Sequence, residues 1–422
     1  MLYLTVTGRN DWASQIAGSS SSSFFYPSVG LSWVPTSLWD TGEALSYLKI
    51  RGSIASVGMP FPRYLTIPTY EYDATNRVWK DKTHYPIGDL KPERTTTYEV
   101  GVDARLWRHL SLSASWYQAD TKNQTFDPSL PPSSSYTTIY LQTGHVRNTG
   151  VELSVGYDNR WGSFRWATNF TYAWNRNEII ELAANAVNPI TGEPLNLEKL
   201  DIKGLGKAKY ILKEGGTLGD LYTTSDLRFN DNGYVEVDKS GNLLLTDEGD
   251  DIYLGSVFPD HNLAWRNDFS WKGVNLGLLF TARIGGICYS ATQANMDLYG
   301  VSEASAAARD AGGVIINGRQ TIDAQKWYQA IGAQSGLPQY YTYSATNFRL
   351  QELSLGYTLP AKWFRDKMRM TVSFVGRNLW MIYCKAPFDP EAVASTGLNY
   401  QGIDYFMMPS LRSLGFNVKF QF

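Results

Sequence analysis

Scattered histidines, a short run of acids and a large stock of aromatic rings are the side chains in these 422 residues that could do chemistry. His84, His109, His145 and His261 stand singly, and none has a second ligand at metal-site spacing. The run Asp247-Glu248-Gly249-Asp250-Asp251, with Asp238 upstream, suggests calcium. A calcium loop opening at Asp238 would need Gly at its sixth position, where Leu243 stands. A cation held by other loop oxygens stays open there, beside the simpler reading of a solvated loop. No phosphate loop, nucleophile elbow or dinucleotide fingerprint occurs, and no carboxylate pair suited to glycoside hydrolysis stands out. The expectation is a protein that is not an enzyme and uses no metal and no cofactor. What remains is rings and charges. Tyr64, Tyr70, Tyr72, Trp79, Tyr136, Tyr140, Tyr222 and Trp327 offer flat faces on which sugars stack, or with which loops pack together.

The elements that must position these groups are strands. Lys plus Arg is 38 and Asp plus Glu 40, a net charge of -2 that removes the electrostatic case for nucleic acid. Hydrophobic residues make 43% of the chain, yet the longest apolar run is the six residues Leu379 to Cys384. A membrane helix needs about 20, so none is expected. Nor does a charged segment followed by an apolar one open the chain, so no signal peptide is predicted in it. Cys288 and Cys384 cannot build a disulfide framework, and one bridge between them is the only pairing left open.

Apolar and polar residues alternate instead, as in Tyr98, Val100, Val102, Ala104 and Leu106 against Thr97, Glu99, Gly101, Asp103 and Arg105. Twelve such segments lie near 1–8, 24–34, 46–57, 95–106, 110–119, 146–158, 162–175, 261–272, 274–285, 346–359, 368–380 and 412–422. Shorter connections at 35–45, 107–109, 159–161, 273 and 360–367 alternate with longer ones at 9–23, 58–94, 120–145, 176–260, 286–345 and 381–411. If neighbours in sequence pair, all long loops fall at one end of the sheet. That asymmetry belongs to an up-and-down transmembrane β-barrel with short periplasmic turns and long extracellular loops. The same parity makes 208–222 part of a loop, because one more spanning strand would reverse the ends. In this register Glu99, Asp103, Arg105, Glu152, Arg165, Arg283, Arg349 and Arg377 oppose the apolar phase and would face the lumen, meeting solute, plug or water. Within 346–359 the phase changes after Leu350, and a bulge at Gln351–Glu352 would restore one outward face. The chain ends on Leu414, Phe416, Val418, Phe420 and Phe422, all on one face. Phe416, Phe420 and Phe422 read as a barrel-insertion signal, with an ordinary amphipathic last strand as the alternative.

Four stretches carry a family likeness. Leu90-Lys91-Pro92-Glu93-Arg94-Thr95-Thr96-Thr97-Tyr98-Glu99-Val100-Gly101, Asn148-Thr149-Gly150-Val151-Glu152-Leu153, and Asn347-Phe348-Arg349-Leu350 with Leu353-Ser354-Leu355-Gly356-Tyr357-Thr358-Leu359-Pro360 are three of them. The fourth joins Gly376-Arg377-Asn378-Leu379-Trp380, Asp389-Pro390-Glu391 and Pro409 to Arg412, leading into the last strand. In this order they resemble the C-terminal part of SusC-type TonB-dependent transporters, the starch-utilisation family of Bacteroidetes outer membranes. The resemblance implies an all-β, antiparallel transmembrane barrel of 22 strands, of which this chain would supply about 12, without the plug domain. It implies outer-membrane lipid around the wall, a SusD-type lipoprotein as lid, the TonB complex acting through the missing N-terminal plug region, and uptake of oligosaccharides or peptides. The competing reading is a secreted soluble β-rich carbohydrate-binding protein or glycoside hydrolase.

Overall fold

The computed structural model describes residues 1–16, 19, 23–39, 42–59, 71–80, 84–85, 91–126, 136, 138–139, 141–182, 197–246, 249–395, 397 and 400–422. Their main element is a 12-stranded sheet whose strands pair in chain order. The strands are β1 (Leu2–Trp12), β2 (Ser23–Trp33), β3 (Leu45–Met59), β4 (Glu93–Leu106), β5 (Leu110–Phe126) and β6 (Leu141–Trp161). They continue with β7 (Phe164–Glu181), β8 (His261–Trp271), β9 (Val274–Ile284), β10 (Asn347–Thr358), β11 (Arg369–Cys384) and β12 (Ser413–Gln421). All the pairings within this sheet are antiparallel, from β1 with β2 to β11 with β12.

The short turns are set by local chemistry. Lys272 and Gly273 both take positive φ, 47° and 91°, as a two-residue hairpin between right-twisted strands requires. A Cβ on Gly273 would stand 2.9 Å from the Thr358 carbonyl oxygen, so this turn wants glycine twice over. One expected turn moves. Residues 159–161 continue β6, and Trp161 pairs with Phe164 across Gly162, whose φ is 60°. Asn159-Arg160 looks like a turn only because its polar side chains end a membrane strand; the backbone reverses where glycine permits it. The bulge expected at Gln351–Glu352 is present: Leu279 pairs with Glu352 and Phe280 with Leu350, leaving Gln351 over.

Register decides the two faces. On β7 the outer face carries Phe164, Trp166, Thr168, Phe170, Tyr172 and Trp174, then changes to Arg176 and Glu178. From Phe164 to Trp174 a tilted strand climbs about 25 Å, the height of a lipid-facing band. Inside that band Thr168 stands directly opposite Asn267. Trp166 Nε1 donates to Asn267 Oδ1 at 3.1 Å and Trp265 Nε1 donates to Thr168 Oγ1 at 2.9 Å. Two indoles thus roof the polar pair, and Asn267 keeps only 4% exposure. Unpaired in lipid, each of these groups would cost several kcal/mol.

The buried apolar core of the described chain lies in the long connections and at the strand ends leading into them, where Phe126, Val146 and Ile179 join it. Lys199–Leu205, Ala208–Lys213, Asp220–Thr223 and Ile252–Ser256 form their own 4-stranded sheet, so 208–222 is not a barrel strand. Three helices, α1 (Ala291–Leu298), α2 (Glu303–Asp310) and α3 (Ala324–Ile331), pack on one another in the next long connection. Side-chain oxygens of Ser290, Ser302 and Asp323 cap their N-termini. Leu212, Leu221, Tyr289, Ile331, Leu337 and Ile403 come from three different connections and share one core. The reason is the solvent: the sheet's outer face is spent on lipid, so only the connections and the strand ends leading into them have apolar surface left to bury among themselves.

Candidate functional site

The polar face of the sheet is built by alternation and knitted by charge. The pairing register places Glu99, Asp103, Arg105, Glu152, Arg165, Arg283, Arg349 and Arg377 together on the face opposite the apolar band. Arg51 on β3 joins them, donating from Nε to Glu99 at 3.2 Å and from Nη1 to Asp103 at 2.8 Å. Ser113 donates to the same Asp103 at 2.7 Å. Further round, Arg266 meets Asp268 at 2.8 Å and Glu352 at 3.6 Å, and Arg377 meets Glu352 at 3.1 Å. Arg165 Nε donates to Asp158 at 2.9 Å. Arg51, Asp158, Arg266 and Glu352 escaped the reading of the sequence, although their place in the polar phase was there to be read. What hid them was partnership, which only register supplies.

Arg349 differs from the others because it is closed in, with 3% exposure. Its guanidinium donates to Asn347 Oδ1 at 3.1 Å and to both Asp389 oxygens at 2.9 and 3.1 Å, and stands 3.2 Å from Glu391. Ser410 also donates to Asp389. This cluster fastens the 385–411 connection to β10. Burial pushes the Asp389 carboxyl up, but the hydrogen bonds from Arg349 and Ser410 outweigh it and hold its pKa below the usual value. Asp389-Pro390-Glu391 therefore has a physical job that its place in the motif did not disclose.

Two hollows open on the polar face. One of about 350 Å³ is lined by Arg51, Ser113, Ser115, Glu152, Ser154 and Thr171, and is rich in hydroxyls. The other, of about 330 Å³, borders the short-turn end and includes Arg105, Arg108, His109 and Ser111.

The aromatic candidates divide. Tyr72 and Trp79 face each other across a small hairpin, ring centroids 5.1 Å apart, with 50% and 69% exposure. Tyr222 is buried instead, its ring 5.1 Å from that of Tyr253 and under the Lys213 ammonium at 4.9 Å. Trp327 packs edge-on against Tyr340 at 6.0 Å and lies against the loop core. Tyr136 is half-buried. Tyr64, Tyr70 and Tyr140 lie outside the described residues.

The remaining candidates are held by neighbours. Asp238 Oδ1 accepts from the Ser240 and Asn242 amides at 2.8 Å, a local turn. Asp251 sits between Lys199 and Lys213, each at 2.9 Å; burial pushes its carboxyl up, and the two ammonium groups more than offset that. Asp247 and Glu248 lie outside the described residues. Among the described residues no group of three His, Cys, Asp or Glu gathers closely enough to hold a metal. Cys288 and Cys384 are free thiols, the first buried and pushed up to about 12 by that burial. Phe416 and Phe420 lie on the outer face of the edge strand β12, and the terminal Phe422 is 99% exposed just beyond it.

An antiparallel wall that is apolar outside and charged inside, with long connections at one end, defines an outer-membrane β-barrel protein. Residues 1–278 match the family described as TonB dependent receptor-like, beta-barrel, and the chain belongs to that family, whose place is the outer membrane. TonB-dependent receptor P3 of Formosa agariphila is 24% identical over 459 residues, taking in 99% of this chain and 44% of the relative. TonB-dependent receptor P39 of the same organism is 29% identical over 142 residues, covering 33% of this chain and 12% of the relative. The chain thus spans less than half the length of these curated relatives. Among solved structures, the RagAB peptide importer in its closed-closed state superimposes with a TM-score of 0.72 at 19% identity, covering 99% of this chain and 45% of that one. Its open-open state gives 0.70 at 19% identity, covering 99% and 44%. This likeness is one of fold.

Proposed function

We propose that the chain forms part of the wall of an outer-membrane importer for oligomeric solutes, peptides or oligosaccharides. The observation that carries the reading is the pairing of two features at one end of one sheet. A charged and hydroxyl-bearing inner face leads up to long connections folded into a shared, solvent-facing body. Import needs both: a polar path and an external surface able to select. Tyr72 and Trp79 are the exposed rings suited to stacking on solute, whereas Trp327 packs on the loop core and Tyr222 packs within its own connection against Tyr253 and Lys213.

In this reading the connections near 58–94, 120–145, 176–260, 286–345 and 381–411 are extracellular. The partners are a SusD-type lipoprotein above the loops and the TonB complex acting through an N-terminal plug region. Relatives named as TonB-dependent receptors and a structural neighbour named as a peptide importer support that direction. Among the described residues β1 and β12 each keep one edge without a partner strand, which supports completion of the wall by further strands, since open edges in lipid leave polar groups unsatisfied.

The test is uptake together with co-purification. Cells carrying the protein should accumulate a labelled peptide or oligosaccharide pool only while the membrane is energised, and a surface lipoprotein should elute with the detergent-extracted protein. Uptake unaffected by loss of TonB would overturn the reading. A soluble secreted binding protein is the other class to exclude, and release from membranes by alkaline carbonate without detergent would establish it.

A further inference from the structure

The charges of the polar face are not spread evenly. Among the described residues, Lys49, Arg105, Arg160, Arg369 and Lys419 lie towards the short-turn end without a carboxylate in ion-pair range, while Arg283 is alone at the other end. Arg160 stands directly opposite Arg165. Lys419 is diagonal to Arg369, since Thr371 pairs with Lys419 and Arg369 with Gln421. Like charges set side by side across strands disfavour the sheet that holds them.

The carboxylates of this end are already engaged. Asp103 is taken by Arg51 and Ser113, Asp158 by Arg165, Asp268 by Arg266, and Glu43 meets Arg108 at 3.4 Å. Arg105 nevertheless lines the hollow of about 330 Å³ with Arg108, Asn169 and Arg266, together with the already paired carboxylates Asp158 and Asp268. His109 Nδ1 is held at 2.9 Å by the Asp158 carbonyl oxygen, and the Ser111 hydroxyl donates to the Gly156 carbonyl oxygen at 3.2 Å, so neither is the centre of the hollow. An unpaired guanidinium and the Asn169 amide around one concavity, with the Glu43-paired Arg108 at its rim, match an oxyanion.

We infer that the short-turn end of the polar face is an oxyanion-binding station, centred on Arg105, for carboxylate, sulfate or phosphate groups borne by the departing solute. The inference rests on the import reading and deepens it by giving the solute a negative charge. Engaged from Arg105, an anion would relieve the local surplus of positive charge and be held where the path leaves the membrane.

Calorimetric titration of the protein purified from outer membranes in detergent tests this, with tri-aspartate as probe and tri-asparagine as its neutral counterpart. Tri-aspartate should bind the more tightly and be displaced by sulfate better than by chloride at equal ionic strength. Arg105→Gln should weaken it about tenfold or more, the worth of one charge-assisted fork. Arg105→Lys should retain part of the affinity. Equal binding of the two tripeptides, or an unaltered affinity in Arg105→Gln and Arg105→Lys, overturns the station. A wild type that shows no preference for sulfate over chloride overturns it without any variant. Neutral solute could still be imported if the station fails, so the uptake experiment judges the earlier reading separately.

Discussion

Arg349 shows what a single residue can hold together. Its guanidinium, at 3% exposure, meets Asp389 and Glu391 from a connection that starts beyond the end of β11. Replacing it by Met keeps the bulk and leaves Asp389 buried beside no cation, a change expected to cost about 3–5 kcal/mol locally. Arg349→Met should therefore make the 385–411 connection sensitive to protease while the rest of the chain stays protected. Acid should act in the same direction. The Asp389 pKa is depressed in the folded protein, so its contribution is fully present above the ordinary carboxyl value and is lost as pH falls through the lower, folded value. Proteolysis followed as a function of pH should show the 385–411 connection loosening only under acid, and Asp389→Asn should remove that dependence.

At the scale of elements, the hairpin between β8 and β9 and the Trp-roofed pair between β7 and β8 make opposite demands. Gly273 lies at φ 91° with a carbonyl oxygen 2.9 Å from where its Cβ would be. Gly273→Val should destabilise the wall by about 1–3 kcal/mol, read as an earlier urea midpoint in detergent or lipid. Asn267→Ala leaves the Trp166 N–H without its acceptor in the lipid-facing band, and a loss of about 1–3 kcal/mol is expected. Asn267→Asp keeps an acceptor but brings a charge towards lipid, and should lose more than Asn267→Ala. The last strand carries a separate prediction. Phe422→Ser should lower the amount of protein assembled in the outer membrane, measured by heat-modified mobility, with little change in the stability of what does assemble.

Taken whole, the molecule divides its apolar residues between two environments. Exposed rings such as Trp161, Trp265 and Trp271 look outward from the sheet, while Leu221, Tyr289 and Leu337 are buried among connections. Extraction should follow that division: carbonate should leave the protein in the membrane, and detergent should release it with the loop body still protease-resistant.

The architecture was legible in the sequence to an unusual degree, because a lipid-facing strand writes its outer and inner residues in strict alternation. The twelve strands, their order and the bulge at Gln351 follow from that one periodicity, whereas the expected alternation of connection lengths fails at the start of the sheet, where 13–22 is no longer than 34–44. The end of β6 was misread because polar side chains at the membrane boundary resemble turn residues, while the reversal itself waits for Gly162. Trp327 illustrates the larger limit. Nothing in the local pattern separates a ring that packs loops from a ring that meets solute; only the folding of distant connections onto one core does. The partners of Arg51 and Arg349 were likewise hidden, since 48 and 40 residues separate them from Glu99 and Asp389. Sequence alone determined the wall, whose rule is local and repeats every second residue. Tertiary structure decided the site, whose charges find one another only when register and loop packing bring them together.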